Sequence, residues 1–169
     1  MTRLIALLLL VVASIASAFG STPRAAPCSG SQLAGSFSVV RGSAGAGNIS
    51  YRLALRNVSS STCTVTGLPQ GRLLSKAGKP LPTHVQAAMP GALTAILVRL
   101  APGAHAYAEA RFSPDVPGVG EPVAGRRCEP IAYRFRVTAP GEGTTMVKVV
   151  PPTPVCEHGR LSFKAYGTR

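Results

Sequence analysis

The sequence predicts an all-β fold, an antiparallel β-sandwich of about eight or nine short strands, and three observations predict it. Short segments alternate apolar and polar residues with a period of two, as in Ile49, Tyr51, Leu53 and Leu55 against Ser50, Arg52, Ala54 and Arg56. Turn residues separate these segments at regular intervals, and no stretch beyond residue 18 carries helical periodicity. Four cysteines supplement the core that a 169-residue chain with 46% apolar residues can build. With 18 Gly and 15 Pro, the composition disfavours collagenous, coiled-coil and wholly disordered chains.

Residues 1–18 read as a cleaved signal peptide. Arg3 supplies the positive start, residues 4–13 are an unbroken apolar run, and Ala16-Ser17-Ala18 offers the small residues for cleavage after Ala18. A transmembrane anchor needs about 20 apolar residues, and Ser14 and Ser17 interrupt this run too early. Lipidation is disfavoured as well, because the first cysteine, Cys28, lies well past the run and follows Pro27. The expected product is an exported chain with a flexible tail at 19–27 and a single domain at 28–169.

The strands follow in order. Residues 32–40 carry β-branched and aromatic side chains, and the Gly-rich stretch 41–47 closes them with a loop. Residues 49–57 give the clearest alternation. Shorter candidates are 62–66, closed by Gly67-Leu68-Pro69, and 72–75, before the turn Ala77-Gly78-Lys79-Pro80. An apolar run at 93–100 ends at Ala101-Pro102-Gly103. Next, Ala104, Ala106, Ala108, Ala110 and Phe112 alternate with His105, Tyr107, Glu109 and Arg111, so bulky groups must pack on a face of small residues. Residues 113–127, with three prolines and no period, form the longest loop and the best candidate for a mobile or functional one. In 131–138, Ile131, Tyr133, Phe135 and Val137 are expected to face inward, with Ala132, Arg134, Arg136 and Thr138 outward. Segments 145–150 and 161–165 complete the set.

Cys28, Cys63, Cys128 and Cys156 form an even set in an exported chain, where thiols persist as bridges. No pair has the C-x-x-C spacing of a redox motif or zinc knuckle. Three pairings are open from the sequence. Pairing of sequence neighbours would close two loops of about 30 residues, each worth roughly 3–4 kcal/mol in the chain-entropy model.

Three stretches carry a family resemblance: L-R-N-V-S-S-S-T-C-T-V-T-G-L-P at 55–69, L-A-P-G-A-H-A at 100–106, and C-E-P at 128–130. With them the chain resembles the actinobacterial exported family called domain of unknown function four-two-three-two, from Cys28 to Tyr166. The resemblance implies an immunoglobulin-like sandwich and pairing of Cys28 with Cys63 and of Cys128 with Cys156. It implies no activity. Asn57, Gly67, Pro69, Pro102 and Gly103 each fit a turn-forming role that needs no ligand. The sequons at Asn48 and Asn57 are likewise explained as strand and turn polar residues.

Catalysis needs titratable groups that converge, and the chain offers one Asp, five Glu and three His without a nucleophile elbow, H-E-x-x-H or phosphate-binding loop. No cofactor is expected. His84, His105 and His158 are dispersed; a copper site from His84 and Met89 is the sharpest metal reading, resting on a common spacing. The basic excess, 18 Lys and Arg against 6 Asp and Glu for a net +12, is the main functional lead. Arg52 and Arg56 on one strand and Arg134 and Arg136 on another would form an anion-binding stripe if those strands are neighbours, with Arg126 and Arg127 adding to it. Nucleic acid is disfavoured, since no recognised module and few aromatics accompany the charges. The expectation is therefore an exported, non-catalytic binding or structural domain without a transmembrane anchor, whose partner is an anionic envelope polymer or another exported protein. The alternative is a small metal carrier or enzyme using His84, His105 or His158.

Overall fold

The computed structural model describes residues 24–91, 95–123 and 127–168. The signal segment 1–18, Arg126 and part of the 93–100 run lie outside the described residues.

The fold is all-β. Its strands are β1 (Leu33–Val39), β2 (Ile49–Asn57), β3 (Cys63–Val65), β4 (Gln70–Leu74), β5 (His84–Ala87), β6 (Val98–Leu100), β7 (His105–Phe112), β8 (Ala132–Thr138), β9 (Thr144–Thr153) and β10 (Arg160–Phe163). Eight of them form one sheet in the order β4-β8-β9-β1-β2-β7-β10-β5, and β3 pairs with β6 in a small second sheet. The sheet is not wholly antiparallel as expected. β1 runs parallel to β9 and β5 parallel to β10, because each of these pairs joins segments distant in sequence that no tight hairpin connects.

The large sheet curls over its own core. Four strands separate β8 from β10, about 24 Å if the sheet were flat, yet the rings of Phe135 and Phe163 lie 6.1 Å apart. Phe37 of β1 touches both, at 5.6 and 5.9 Å, and Tyr51 links Phe37 to Phe112. Between the two edge strands, the segment leading into β5 follows β4: Leu81 N–H donates to the Leu73 carbonyl at 2.9 Å, and Leu73 N–H donates to Thr83 Oγ1 at 2.9 Å. The edges are thus stitched together, and the sandwich has a barrel-like closure.

Alternation builds this core where it was expected. On β2, Tyr51, Leu53 and Leu55 are buried while Arg52 and Arg56 are exposed. The small face of β7 meets its bulk sideways: Ala110, Ala108 and Ala106 stand directly opposite Tyr51, Leu53 and Leu55. β8 departs from the expected phase. A bulge between Ala132 and Arg134 turns Ala132 fully inward and leaves Ile131 only partly buried. Strand β5 has no counterpart in the sequence reading, and among the described residues of the 93–100 run only Val98–Leu100 is a strand, with Ile96 and Leu97 exposed.

Two disulfides staple the fold, Cys28 to Cys63 and Cys128 to Cys156. Asn57 pins the turn that leads to Cys63. Completely buried, it donates from Nδ2 to the carbonyls of Ser61 (2.7 Å) and Leu100 (2.9 Å), and its Oδ1 accepts from Ser59 N–H (3.0 Å) and Ser59 Oγ (2.7 Å). Gly103, at φ 80°, supplies the left-handed turn that returns its own N–H to the Asn57 carbonyl at 2.8 Å.

Candidate functional site

The sequence-predicted arginine stripe does not form as a pair of neighbouring strands. β9 and β1 stand between β8, which carries Arg134 and Arg136, and β2, which carries Arg52 and Arg56. All four side chains are exposed on the outer face of the same sheet. Arg127 is also exposed, in the loop before Cys128.

Each half of the predicted set has acquired partners that the sequence reading did not single out. Arg136 is the direct cross-strand partner of Arg72 on β4, and Arg134 that of Lys148 on β9. Arg134 also donates to the Lys76 carbonyl at 3.3 Å. Directly opposed strand residues sit about 5 Å apart at their Cβ atoms, and like charges there repel. Among the described residues, no carboxylate pairs with any of the four. The chain's carboxylates are placed elsewhere: Glu109 beside Lys164, Glu157 against Arg160, Glu121 and Glu129 together, Asp115 in a loop and Glu142 in the β8–β9 turn. On the other flank, Arg52 is opposite Glu109 and its guanidinium lies 6.0 Å from the Tyr107 ring centroid, while Arg56 is opposite His105.

A trough lies between the two basic groups. Ser36, Ser38 and Ala54 floor a hollow of about 270 Å³ flanked by Arg41 and Arg52. It continues into a hollow of about 210 Å³ that shares Ser36 and Ala54 and is flanked by Arg56 and His105. Across β1, Ser36 stands in register with Lys148. Short side chains on β1 thus leave an open lane between the cations of β8 and β9 and those of β2.

The histidines do not meet. His84 is exposed on β5, in register with Arg160, and His105 is exposed on β7, stacked on Tyr107 at 5.9 Å. Only His158 joins a cluster of ligating groups among the described residues, with Glu121 and Glu129. Met89 is exposed and stands two residues past the end of β5.

This second cluster sits where the 113–127 loop meets the turn Cys156–Gly159. In that turn Glu157, His158 and Gly159 all have left-handed φ, at 56°, 59° and 80°. Such a backbone is strained for residues with a Cβ, and it aims consecutive N–H groups at one point. The Glu121 carboxylate fills that point, accepting from Gly118 N–H (2.6 Å), Glu157 N–H (2.9 Å) and His158 N–H. Burial opposes its ionisation, but the N–H groups of His158, Gly118 and Glu157 outweigh burial and hold the carboxyl below the usual range. Burial, followed by the charge of Glu121, pushes the neighbouring Glu129 carboxyl up. The sequence marked this segment as a loop of interest, and only the fold shows that Glu121 anchors it.

No curated protein and no solved structure matches the chain. Residues 28–166 match the family model described as Domain of unknown function (DUF4232), and on that coverage the chain belongs to this family.

Proposed function

We propose that this domain is an exported, non-catalytic module that docks on an anionic polymer of the cell envelope along the outer face of β4, β8, β9 and β1. The observation that carries the reading is the pairing of cation with cation: Arg72 opposite Arg136 and Arg134 opposite Lys148. A sheet gains nothing from like charges in register. A chain of phosphate or carboxylate groups laid across them removes the repulsion, and arginine forks match such groups in shape. The trough floored by Ser36, Ser38 and Ala54 gives a linear polymer room to lie flat between this group and Arg52 and Arg56. Two disulfides suit an oxidising compartment, the signal-like residues 1–18 supply a route to it, and no helix among the described residues is long and apolar enough to cross a membrane.

Co-sedimentation with purified cell wall over a salt series tests the proposal. Binding strong at low salt and steeply weakened as salt rises is expected, because exposed charges are screened within about 8–10 Å at physiological ionic strength. Absent binding, or binding indifferent to salt, overturns it.

A further inference from the structure

We propose that Glu121 is an acid-operated latch. It ties the middle of the 113–127 loop to the left-handed turn in neutral and weakly acidic solution and lets the loop go in stronger acid, while the sheet stays folded.

The loop is anchored differently at its ends and at its middle. At its start the Ser113 carbonyl accepts from Cys156 N–H at 2.9 Å, and just past its end Cys128 is bonded to Cys156. Between these points the hold runs through the Glu121 carboxylate, which takes the N–H groups of Glu157 and His158, and through the His158 ring, whose Nε2 is 3.0 Å from the Val119 carbonyl oxygen. Held in this way, the loop packs Val116 over Gly47 and leaves Val119 97% exposed. Releasing the middle frees the loop without breaking a strand pair or a disulfide.

The grip needs charge. An ionised carboxylate only accepts, so it serves the N–H groups of Gly118, Glu157 and His158 together. Once protonated, one oxygen carries a donor that meets these N–H groups head on, and an N–H loses its acceptor. The left-handed φ of Glu157 and His158, 56° and 59°, then loses the contact that holds it in place.

The groups facing Glu121 set the pH at which this happens. Among the described residues they are Glu129, from the segment before β8, and the His158 ring, from the turn; Glu157 gives its own carboxylate to Arg160. Glu129 is hydrogen-bonded to Glu121, a bond that two carboxyl groups make only while they share a proton. The proton stays on Glu129. Burial, then the charge of Glu121, push that carboxyl up, whereas at Glu121 burial is outweighed by the N–H groups and the carboxyl lies low. His158 Nδ1, 3.7 Å from Glu121 Oε1, adds attraction whenever the ring is charged.

The two carboxyl groups therefore act in opposite directions. The contribution of Glu121 to closure is present above the ordinary carboxylate value, about 4.3, and is lost as pH falls through its lowered value. That of Glu129 is present below about 4.3 and is lost as pH rises through its raised value. The latch is tightest in weakly acidic solution, slackens toward neutrality and opens in stronger acid.

Amide hydrogen exchange of the oxidised, full-length protein, followed by NMR between about pH 2.5 and 7, tests this. Protection at Gly118, Glu157 and His158 is expected to peak near about pH 4–5 and to fall at least about tenfold by about pH 2.5. Leu53 on β2, a strand with partners on both sides, is expected to stay protected. Glu121→Gln is expected to hold the three amides at the open level at every pH. Glu129→Gln mimics the protonated partner, and is expected to abolish the slackening toward neutrality while keeping the acid opening. Protection that is level across the range, that falls only together with Leu53, or that keeps its pH profile in Glu121→Gln overturns the proposal.

Discussion

Arg72 and Arg136 are directly opposed cross-strand partners on β4 and β8, both exposed, and among the described residues neither has a carboxylate partner. If their repulsion is retained for binding, then stability and binding respond to a charge change with opposite signs. Arg136→Glu is expected to stabilise the domain by about 0.2–1 kcal/mol, since it turns a repulsive pair into an attractive one. The same variant is expected to lose most of its salt-sensitive attachment to anionic polymer. Urea midpoints and co-sedimentation measured on one preparation check both effects, and a fall in both would break the link between them.

Asn57 offers a test of the turn network. Its amide donates to the Leu100 and Ser61 carbonyls and accepts from the N–H and hydroxyl of Ser59, so Asn57→Ala removes four hydrogen bonds at a completely buried position. A loss of about 2–3 kcal/mol in equilibrium unfolding is expected. A change under about 0.5 kcal/mol, the range of an ordinary surface substitution, would contradict it.

The two buried tyrosines are expected to behave differently on loss of the hydroxyl. Tyr51 Oη donates to the Pro151 carbonyl at 2.8 Å, whereas Tyr166 Oη is buried without a partner among the described residues. Tyr51→Phe is expected to cost about 1 kcal/mol, and Tyr166→Phe to be neutral or stabilising. Thermal and chemical denaturation of the two variants side by side decides the matter.

Their titration sets an alkaline limit. Burial pushes both phenols above their ordinary value, with Thr153 partly offsetting this at Tyr51. The unfolded phenols ionise near pH 10 while the folded ones hold their protons. Their stabilising contribution is therefore complete below about pH 10 and is lost as pH rises from there toward the folded values. Unfolding midpoints are expected to be level up to about pH 10 and to fall above it, and Tyr166→Phe is expected to make that fall shallower.

The disulfides close segments separated by 35 and 28 residues. Replacing Cys28 and Cys63 together by Ala is expected to cost about 3–4 kcal/mol through the greater freedom of the unfolded chain. A peptide joining Cys63 to Cys128 in a non-reducing map would contradict the connectivity.

How much of this was legible in the sequence depended on whether one face of a segment is buried. β2 and β7 bury one face completely, so their period of two was plain. β5 is a four-residue edge strand whose inward side chains, Val85 and Ala87, are only partly buried, and so short an alternation did not stand out. The bulge in β8 adds one residue that no periodic pattern encodes, which is why Ile131 and Ala132 exchanged expected roles. For the basic face, the outward direction of Arg134 and Arg136 was readable from β8 alone. Their pairing with Lys148 and Arg72 was not, because the order β4-β8-β9 is fixed by contacts between distant segments. Glu121 was hidden for the same reason: its partners at 157 and 158 come more than thirty residues later.

The parallel pairing of β1 with β9 has a consequence for when the molecule becomes a protein at all. Ser36 finds its partner at Lys148, and the Leu33 carbonyl receives its bond from Thr145, 112 residues further on. Until that late strand arrives, β1 has β2 on one side and a bare edge on the other, with Phe37 lacking the neighbour strand that helps cover it. Folding must close this long loop before the closure is rewarded, which places the domain among slow, all-or-none folders on a scale of milliseconds to seconds. A chain cut short before residue 144 is therefore expected to yield an unfolded, protease-sensitive polymer instead of a smaller domain.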